Sequence, residues 1–199
     1  MARVVKLLWL FCLWATPALA DSAPGGVVER LNAGLLAVMQ NAESLGYAGR
    51  VSRFEKLLGE TYNLAAMAKA SVGPGWRNLS DAERSRLRDA FARMTYATYA
   101  SRFKGFKGER FEVLGAEPAV QNLVVVHSRL IRANGEAVAL DYTTKDFDGD
   151  WRIVDVNVDA KYSELARLRA EFSSVLQREG FDSLLQKIEA RIARTAGQG

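Results

Sequence analysis

Residues 151–180 place a strand pattern directly before a helix pattern. From Trp151 to Asp159 polar and apolar side chains alternate with a period of two, which is typical of a β-strand with one buried face. Beyond Asp159 the apolar residues recur at helical spacing, at Leu165, Leu168, Phe172, Val175 and Leu176. A strand that leads at once into a long amphipathic helix predicts a sheet with a helix folded back over one of its faces.

The start of the chain has the pattern of a secretory signal peptide. Arg3 and Lys6 precede a short apolar run, and Ala18-Leu19-Ala20 offers small residues at the cleavage positions. The run is shorter than the ~20 apolar residues that span a bilayer. We therefore predict a cleavable leader over residues 1–20, export, and a single mature domain over residues 21–199.

The predicted mature chain lacks cysteine, because Cys12 is the only one in the sequence. Disulfides, thiol catalysis and cysteine metal sites are therefore excluded, and an ordinary apolar core has to hold the exported protein together. The net charge of +4 for the whole chain falls to about +2 without Arg3 and Lys6. Acidic and basic residues are interspersed, so no nucleic-acid partner is predicted.

Helical patterns cover the first part of the mature chain. Apolar residues at helical spacing predict one helix over residues 28–45 that ends at Gly46, and a second helical region over residues 51–72. Gly73-Pro74-Gly75 stops this region, because glycine and proline both interrupt helices.

Three further helices are predicted. Ser80, with Glu83 three residues later, forms a capping box that begins a helix expected to end at Gly105. Two segments near the end of the chain, over residues 163–178 and 181–194, show the same helical spacing of apolar residues.

The chain between these helical regions is rich in strand patterns. Four strands are predicted in an antiparallel meander, over residues 111–114, 122–132, 136–145 and 151–158. Asn134-Gly135 and Asp148-Gly149 are the tight-turn pairs between them. We therefore predict an α+β protein with a four-stranded antiparallel sheet packed against helices.

One face of this sheet is apolar. The alternating residues predicted to face the helices are Val124, Val126, Leu130, Val138, Leu140, Tyr142, Val154, Val156 and Val158. Asp155 and Asn157 are predicted to face outward. The residues alone leave two interpretations open, a dry core and a gap filled by a lipid, and they favour the core because apolar stripes are core more often than ligand lining.

Catalytic and metal-binding patterns are weak. His127 is the only histidine, and it lies in the middle of a strand without a nucleophile motif such as G-x-S-x-G. Asp146, Asp148 and Asp150 imitate the start of a calcium loop, but the glycine is misplaced and Asn157 stands where such a loop needs glutamate. No metal and no cofactor is predicted.

Aromatic and basic residues alternate between Tyr96 and Arg110, in the sequence YATYASRFKGFKGER. Such a segment suits a membrane surface or the rim of a pocket, or a solvated helix end where Lys104 and Lys107 complement the helix dipole. For an exported protein we predict transient contact with a membrane.

A series of short motifs resembles one protein family. The matching residues are Leu57-Leu58, Ala70-Ser71-Val72-Gly73, Trp76, Leu79-Ser80, Glu83-Arg84, Phe91, Thr98-Tyr99-Ala100, Gly108-Glu109-Arg110-Phe111, Trp151, Asp155-Val156, Ser163-Glu164-Leu165, Arg169 and Glu171-Phe172. Their order and spacing are similar to those of the MlaC family, the periplasmic lipid-shuttling components of Mla-type transport systems, also described as toluene-tolerance auxiliary proteins. Within the family the chain resembles the hopanoid-associated HpnM branch. It departs from the pattern at Ala160, where relatives carry glycine after the acidic residue.

The resemblance implies a curved antiparallel sheet wrapped by helices, an NTF2-like core with extra helices, which encloses an apolar cavity for lipid tails. It implies a carrier without enzymatic activity that shuttles a hopanoid or a phospholipid between the inner and outer membranes of a Gram-negative envelope. The implied partners are an inner-membrane ABC transporter complex and an outer-membrane lipoprotein. With the resemblance included, a lipid pocket is favoured over a dry core.

The implied pocket has a predicted lining drawn from helices and strands. Its residues are Leu58, Ala68, Val72, Trp76, Phe91, Met94, Tyr99, Phe103, Val124, Val126, Leu140, Tyr142, Val154, Val156, Phe172 and Val175. Arg129, Arg152 and Tyr99 are predicted rim groups for a polar headgroup.

Two alternatives from other classes stay open. An NTF2-like periplasmic isomerase or dehydratase would use Asp141, Tyr142 and Asp155 as acid–base groups inside a cavity, although both aspartates alternate away from the apolar face. An envelope interaction module would have no cavity and would bind no lipid.

Overall fold

The computed structural model describes residues 23–197, and the predicted leader lies outside them. The helices in this range are α1 (Pro24–Gln40), α2 (Ala42–Thr61), α3 (Leu64–Ser71), α4 (Asp81–Arg102), α5 (Glu164–Glu179) and α6 (Phe181–Ala196). The strands are β1 (Arg110–Pro118), β2 (Leu123–Ile131), β3 (Ala137–Phe147), β4 (Asp150–Val158) and β5 (Tyr162–Ser163). Short 3₁₀ helices occupy Gly73–Asn78 and Val120–Asn122. Within residues 23–197, no helix combines the length and the apolarity that crossing a bilayer requires.

The strands form one antiparallel sheet in the order β1-β2-β3-β4-β5. Gly135 and Gly149 lie in the turns that flank β3 with φ angles of 84° and 89°, which glycine adopts because it has no Cβ. The predicted α+β class and the four-stranded antiparallel meander are confirmed. The two-residue strand β5 extends this sheet beyond β4.

The helices cover the face of the sheet that the alternation predicts. Val126 pairs with Tyr142, and Tyr142 pairs with Val156, so the three side chains share one face. Asn32 of α1 donates from Nδ2 to Ser128 Oγ on the same face of β2, at 3.1 Å. This inner face therefore meets α1 directly.

The alternation of inward and outward side chains along β4 is shifted at a β-bulge. Thr143 pairs with Asp155 and Thr144 pairs with Ile153, which leaves Val154 without a cross-strand partner. Ile153 is fully buried on the inner face. The prediction that Val154 faces inward with Val156 is therefore wrong, because one extra residue shifts the alternation by one position.

The first helix ends earlier than predicted. Asn41 follows α1, and α2 passes through Gly46 with a kink at which φ is 58°. Glycine takes this backbone angle at little cost. The non-helical backbone at Gly46 interrupts the helix there, as predicted, and helical structure resumes after it.

The helical region predicted over residues 51–72 is divided between α2 and α3. At the junction Asn63 N donates to Ile153 O at 2.9 Å, and Asn63 Oδ1 accepts a hydrogen bond from Ala66 N at 2.9 Å. The edge of β4 thus accepts the backbone N–H of Asn63, and the Asn63 side chain caps the start of α3. Two helices therefore replace the single helical region that was predicted.

The helices and the inner sheet face share one apolar core. α4 contacts α2, α3 and α6, while α1 and α5 pack on the sheet. Phe54, Phe91 and Phe172 are among its largest buried side chains. Burying a side chain of this size stabilises the fold by ~1.5–3 kcal/mol relative to leaving it exposed, so the core fixes how the helices meet the sheet.

The predicted capping box of α4 is present and gives a test of stability. Ser80 Oγ accepts from Glu83 N at 3.3 Å, and the Glu83 carboxylate accepts from Ser80 N at 2.7 Å. Ser80→Ala removes the cap, so we expect urea denaturation to show a free energy of unfolding lower by about 1 kcal/mol. Ser85→Ala, at an exposed position inside the same helix, is the control and should change it by less than about 0.5 kcal/mol. Equal effects of the two substitutions would contradict the capping role.

Candidate functional site

A narrow cleft of about 70 Å³ lies among α3, α4, α5, α6 and β4. Its apolar and aromatic lining consists of Tyr62, Met67, Phe91, Met94, Tyr99, Val156 and Leu168. Its polar lining consists of Thr95, Thr98, Arg102, Glu164, Arg167 and Arg191. The cleft thus combines a largely apolar interior with a charged group of side chains.

One face of α4 supplies nearly half of this lining. Phe91, Met94, Thr95, Thr98 and Arg102 recur at helical spacing, so they point to the same side of the helix. The two threonine hydroxyls donate to carbonyl oxygens one turn earlier in α4, at 2.8 and 2.7 Å. Because their hydrogen-bonding groups are already paired, the threonines add little polar demand to the cleft.

Two tyrosines, the buried Tyr62 and the partly buried Tyr99, line the cleft. The hydroxyl oxygens of Tyr62 and Tyr99 lie 2.6 Å apart, and the two rings meet edge to face with centroids 6.1 Å apart. Burial raises the pKa of Tyr62, Tyr99 and the neighbouring Tyr142. All three phenols are therefore neutral at physiological pH.

Charged side chains beside the cleft form what we call the mouth cluster: Arg102, Glu164, Arg167, Glu171 and Arg191. Arg102 Nη2 lies 3.2 Å from Glu164 Oε1, and Arg167 Nη2 lies 2.9 Å from Glu164 Oε2. Arg191 Nη2 contacts both Glu171 oxygens, at 2.8 and 2.9 Å. Burial on its own would raise the pKa of Glu164, but Arg102 and Arg167 hold that pKa below its usual value. Glu164 is therefore ionised at neutral pH.

The structure brings only part of the predicted lining into this cleft. The residues that line it are Phe91, Met94, Tyr99 and Val156. Those buried in the surrounding core are Leu58, Ala68, Val72, Val126, Tyr142, Phe172 and Val175. Those only partly buried are Trp76, Phe103, Val124, Leu140 and Val154. Lipid contact by this set stays a prediction.

The arginines predicted at the rim lie elsewhere. Arg129 Nε donates to Glu112 Oε2 at 2.8 Å on the outer face of the sheet. Arg152 pairs with Asp150 and donates to Gly59 O at 2.9 Å. Neither lines the cleft, because its mouth is built by helices and not by the strands that carry these two residues.

Several lining residues were absent from the sequence prediction. The sequence contained a signal for Thr95 and Thr98, since they lie on the same face of the predicted helix as Phe91. Arg167 and Arg191 had none, because only the tertiary packing of α5 and α6 brings them beside α4.

The acid–base groups of the alternative enzyme do not meet in a common cavity. Asp141 Oδ1 lies 2.7 Å from His127 Nδ1 on the outer face of the sheet, whereas Tyr142 is buried on the inner face. Asp155 Oδ1 accepts from Leu165 N at 3.0 Å and so caps the start of α5. Among residues 23–197, no group of three or more histidine, cysteine, aspartate and glutamate side chains is arranged to hold a metal ion.

Comparison with known proteins identifies a similar fold and the family of the chain. The fold is similar to that of a phospholipid-binding protein from Ralstonia solanacearum solved in complex with a phospholipid, with a TM-score of 0.75, 20% sequence identity, and coverage of 85% of this chain and 97% of that one. No curated protein matches this chain in sequence. The MlaC protein family matches residues 29–190, and the chain belongs to that family. MlaC proteins are periplasmic lipid carriers without enzymatic activity.

The pair of His127 and Asp141 gives a test of the outer sheet face. The hydrogen bond to Asp141 raises the pKa of His127, with a smaller contribution from Glu117 at 3.4 Å. We expect the single histidine signal in an NMR titration to show a pKa above about 6.5, and Asp141→Asn to lower it. A raised pKa means that the interaction stabilises the fold fully below about pH 6.5, and that this stability is lost as the pH rises through the folded-state pKa.

Glu117→Gln is the matched control for this titration. Its carboxylate is farther from the ring than that of Asp141, so we expect a smaller decrease in the pKa of His127. A pKa unchanged by Asp141→Asn would contradict the assigned hydrogen bond.

Proposed function

We propose that this protein is a periplasmic carrier that holds the acyl chains of a lipid in the cleft and shuttles the lipid between the inner and outer membranes. The observation that carries the proposal is the cleft itself, a neutral apolar interior that opens at a charged mouth, in a chain of the MlaC family. The similar fold of a protein solved with a bound phospholipid supports it.

The chemistry of the interior suits an acyl chain. Exposing apolar surface to water costs ~25 cal/mol per Å², so a carrier has to supply an apolar sleeve. Met67, Met94 and Leu168 offer apolar contacts to an acyl chain. The hydroxyls of Tyr62 and Tyr99 are hydrogen-bonded to each other, so they do not require a polar partner from the ligand. A tail bound there loses water without displacing a strong hydrogen bond.

Lipid uptake requires the walls of the cleft to separate. Sites for small molecules have volumes of ~300–1,000 Å³, whereas this cleft has about 70 Å³. Two of its lining residues, Met67 and Met94, have long unbranched side chains that repack easily. We infer that they and Leu168 move apart as the lipid enters.

A phospholipid is the first candidate cargo, and a hopanoid is the second. The fold of the Ralstonia solanacearum protein, which binds a phospholipid, favours the first. The resemblance of the sequence motifs to the HpnM branch favours the second. Mass spectrometry of lipids extracted from the purified protein distinguishes the two by mass.

The transport partners follow from the family and from the predicted leader. We propose that the exported protein exchanges its lipid with an inner-membrane ABC transporter complex and with an outer-membrane lipoprotein. The leader over residues 1–20 and the single domain over residues 21–199 stay predictions.

We also propose that the segment after α4 touches the membrane during exchange. Phe106 is 42% exposed, lies beside the exposed Lys107, and follows Arg102 of the mouth cluster by four residues. An exposed aromatic ring next to basic side chains suits the interface of an anionic bilayer. Contact at this segment would bring the mouth close to the lipids.

Filling the cleft tests the carrier. Thr98→Trp adds an indole to a space of about 70 Å³, so we expect lipid occupancy in native mass spectrometry to fall about tenfold, equivalent to ~1.4 kcal/mol. Ser85→Trp, at an exposed position of the same helix, is the control and should keep full occupancy. Circular dichroism should show unchanged helical content for both variants.

Two results would count against the carrier. One is a Thr98→Trp protein that binds lipid as well as the wild type does. The other is a wild-type mature protein that carries no lipid after purification and takes none from vesicles.

The membrane contact has its own test. In flotation with vesicles that contain phosphatidylglycerol, we expect Phe106→Ser to reduce binding about fivefold, because inserting one aromatic side chain contributes on the order of 1 kcal/mol. Val120→Ser removes an apolar side chain that is 77% exposed in the β1–β2 turn and is the control. Equal losses in the two variants would contradict a specific role for Phe106.

A further inference from the structure

The mouth cluster carries an excess of positive charge over a lipid-tail cleft. Its ion pairs run in one alternating chain, from Arg102 through Glu164, Arg167 and Glu171 to Arg191. Three positive and two negative side chains give it a net charge of +1, which is opposite to that of one phosphodiester.

Stability does not account for this arrangement. The side chains of Arg102 and Arg167 are 54% and 44% exposed, and exposed ion pairs stabilise a fold by only ~0–1 kcal/mol. Arg191 is less exposed and lies against the apolar wall, with its guanidinium 5.9 Å from the centre of the Phe172 ring and its Nη1 4.0 Å from Met94 Sδ. The positive charge of Arg191 therefore lies at the boundary of the apolar lining.

Arg102 and Arg191 have N–H donors beyond those that meet their carboxylate partners. Arg102 and Arg191 meet their carboxylate partners through Nη2, whereas a guanidinium has five N–H donors. Guanidinium groups bind phosphate oxygens through parallel hydrogen bonds, which lysine does not match. Phosphate oxygens could therefore join the cluster without removing all of its existing ion pairs.

We propose that the mouth cluster is a binding site for the phosphodiester of a lipid headgroup, which rests on the carrier function proposed above. The acyl chains extend from this site toward Phe91 and Met94, and the phosphate lies among Arg102, Arg167 and Arg191. The site selects lipids with a phosphate next to the glycerol over a neutral diacylglycerol and over an uncharged hopanoid.

Lipid uptake from neutral detergent micelles tests this site in the mature protein. The micelles contain either phosphatidylglycerol or diacylglycerol with the same acyl chains, and native mass spectrometry measures the occupancy. We expect the wild type to take up phosphatidylglycerol at least about tenfold better, since only this lipid offers charged hydrogen-bond acceptors to the arginines.

Substitution of the cluster should remove this preference and leave tail binding in place. We expect Arg191→Gln to lower phosphatidylglycerol occupancy about tenfold and to lower diacylglycerol occupancy by less than about twofold. Arg102→Gln, at the exposed end of the cluster, is a second variant in case Arg191→Gln does not fold. Arg194→Gln, at an exposed position one turn further along α6, is the matched control and should change neither occupancy.

The outcomes separate the site from the function on which it rests. Equal uptake of the two lipids by the wild type, or an unchanged preference in both variants, overturns the phosphodiester site and leaves the carrier intact. Uptake of neither lipid overturns the carrier as well. Inorganic phosphate alone is expected not to compete at millimolar concentration, because it lacks tails; displacement of the lipid by phosphate would instead show a site for the free anion and overturn the headgroup assignment.

Discussion

The backbone hydrogen bond from Asn63 N to Ile153 O joins the helical layer to the edge of β4, and the cleft depends on this junction. Tyr62, the preceding residue, forms a parallel bridge with Ile153, and its hydroxyl reaches Tyr99 of α4. If α2 continued into α3 as one helix, Tyr62 would not be held between the strand and α4. One bond thus ends a helix, covers part of a sheet edge and positions one wall of the cleft.

The small volume of the cleft follows from the energetics of apolar cavities. Unfilled space in an enclosed apolar cavity costs ~24 cal/mol per Å³, and this cleft, with a volume of about 70 Å³, is partly open and partly polar. An unfilled cavity of ~300 Å³, the lower end for ligand sites, would cost on the order of 7 kcal/mol, which is comparable to the whole stability of a typical domain. A carrier that is also stable without cargo is therefore expected to close its walls, and flexible methionines such as Met67 and Met94 make that closure reversible.

The sequence predicted the elements of the fold better than the cleft, and the reason is physical. The meander, its two turns and the capping box at Ser80 are local patterns, and the structure contains each of them. The prediction for β4 failed because a bulge turns Ile153 inward in place of Val154, which the local pattern does not reveal. The mouth cluster was unpredictable for the same reason, because Arg167 and Arg191 meet only when α5 and α6 pack beside α4.

The mixed lining of the cleft bears on the orientation of an amphiphilic ligand. The buried phenol of Tyr62 is neutral and already paired with Tyr99, so a charged headgroup beside Tyr62 would lose its water without gaining a partner. At the mouth Arg191 offers that partner beside solvent. Because desolvating an unpaired charge costs far more than an exposed ion pair contributes, exclusion from the buried apolar side chains directs the headgroup outward more strongly than attraction to the arginines does. Substitutions in the cluster should therefore change which lipid is chosen before they change which way it lies.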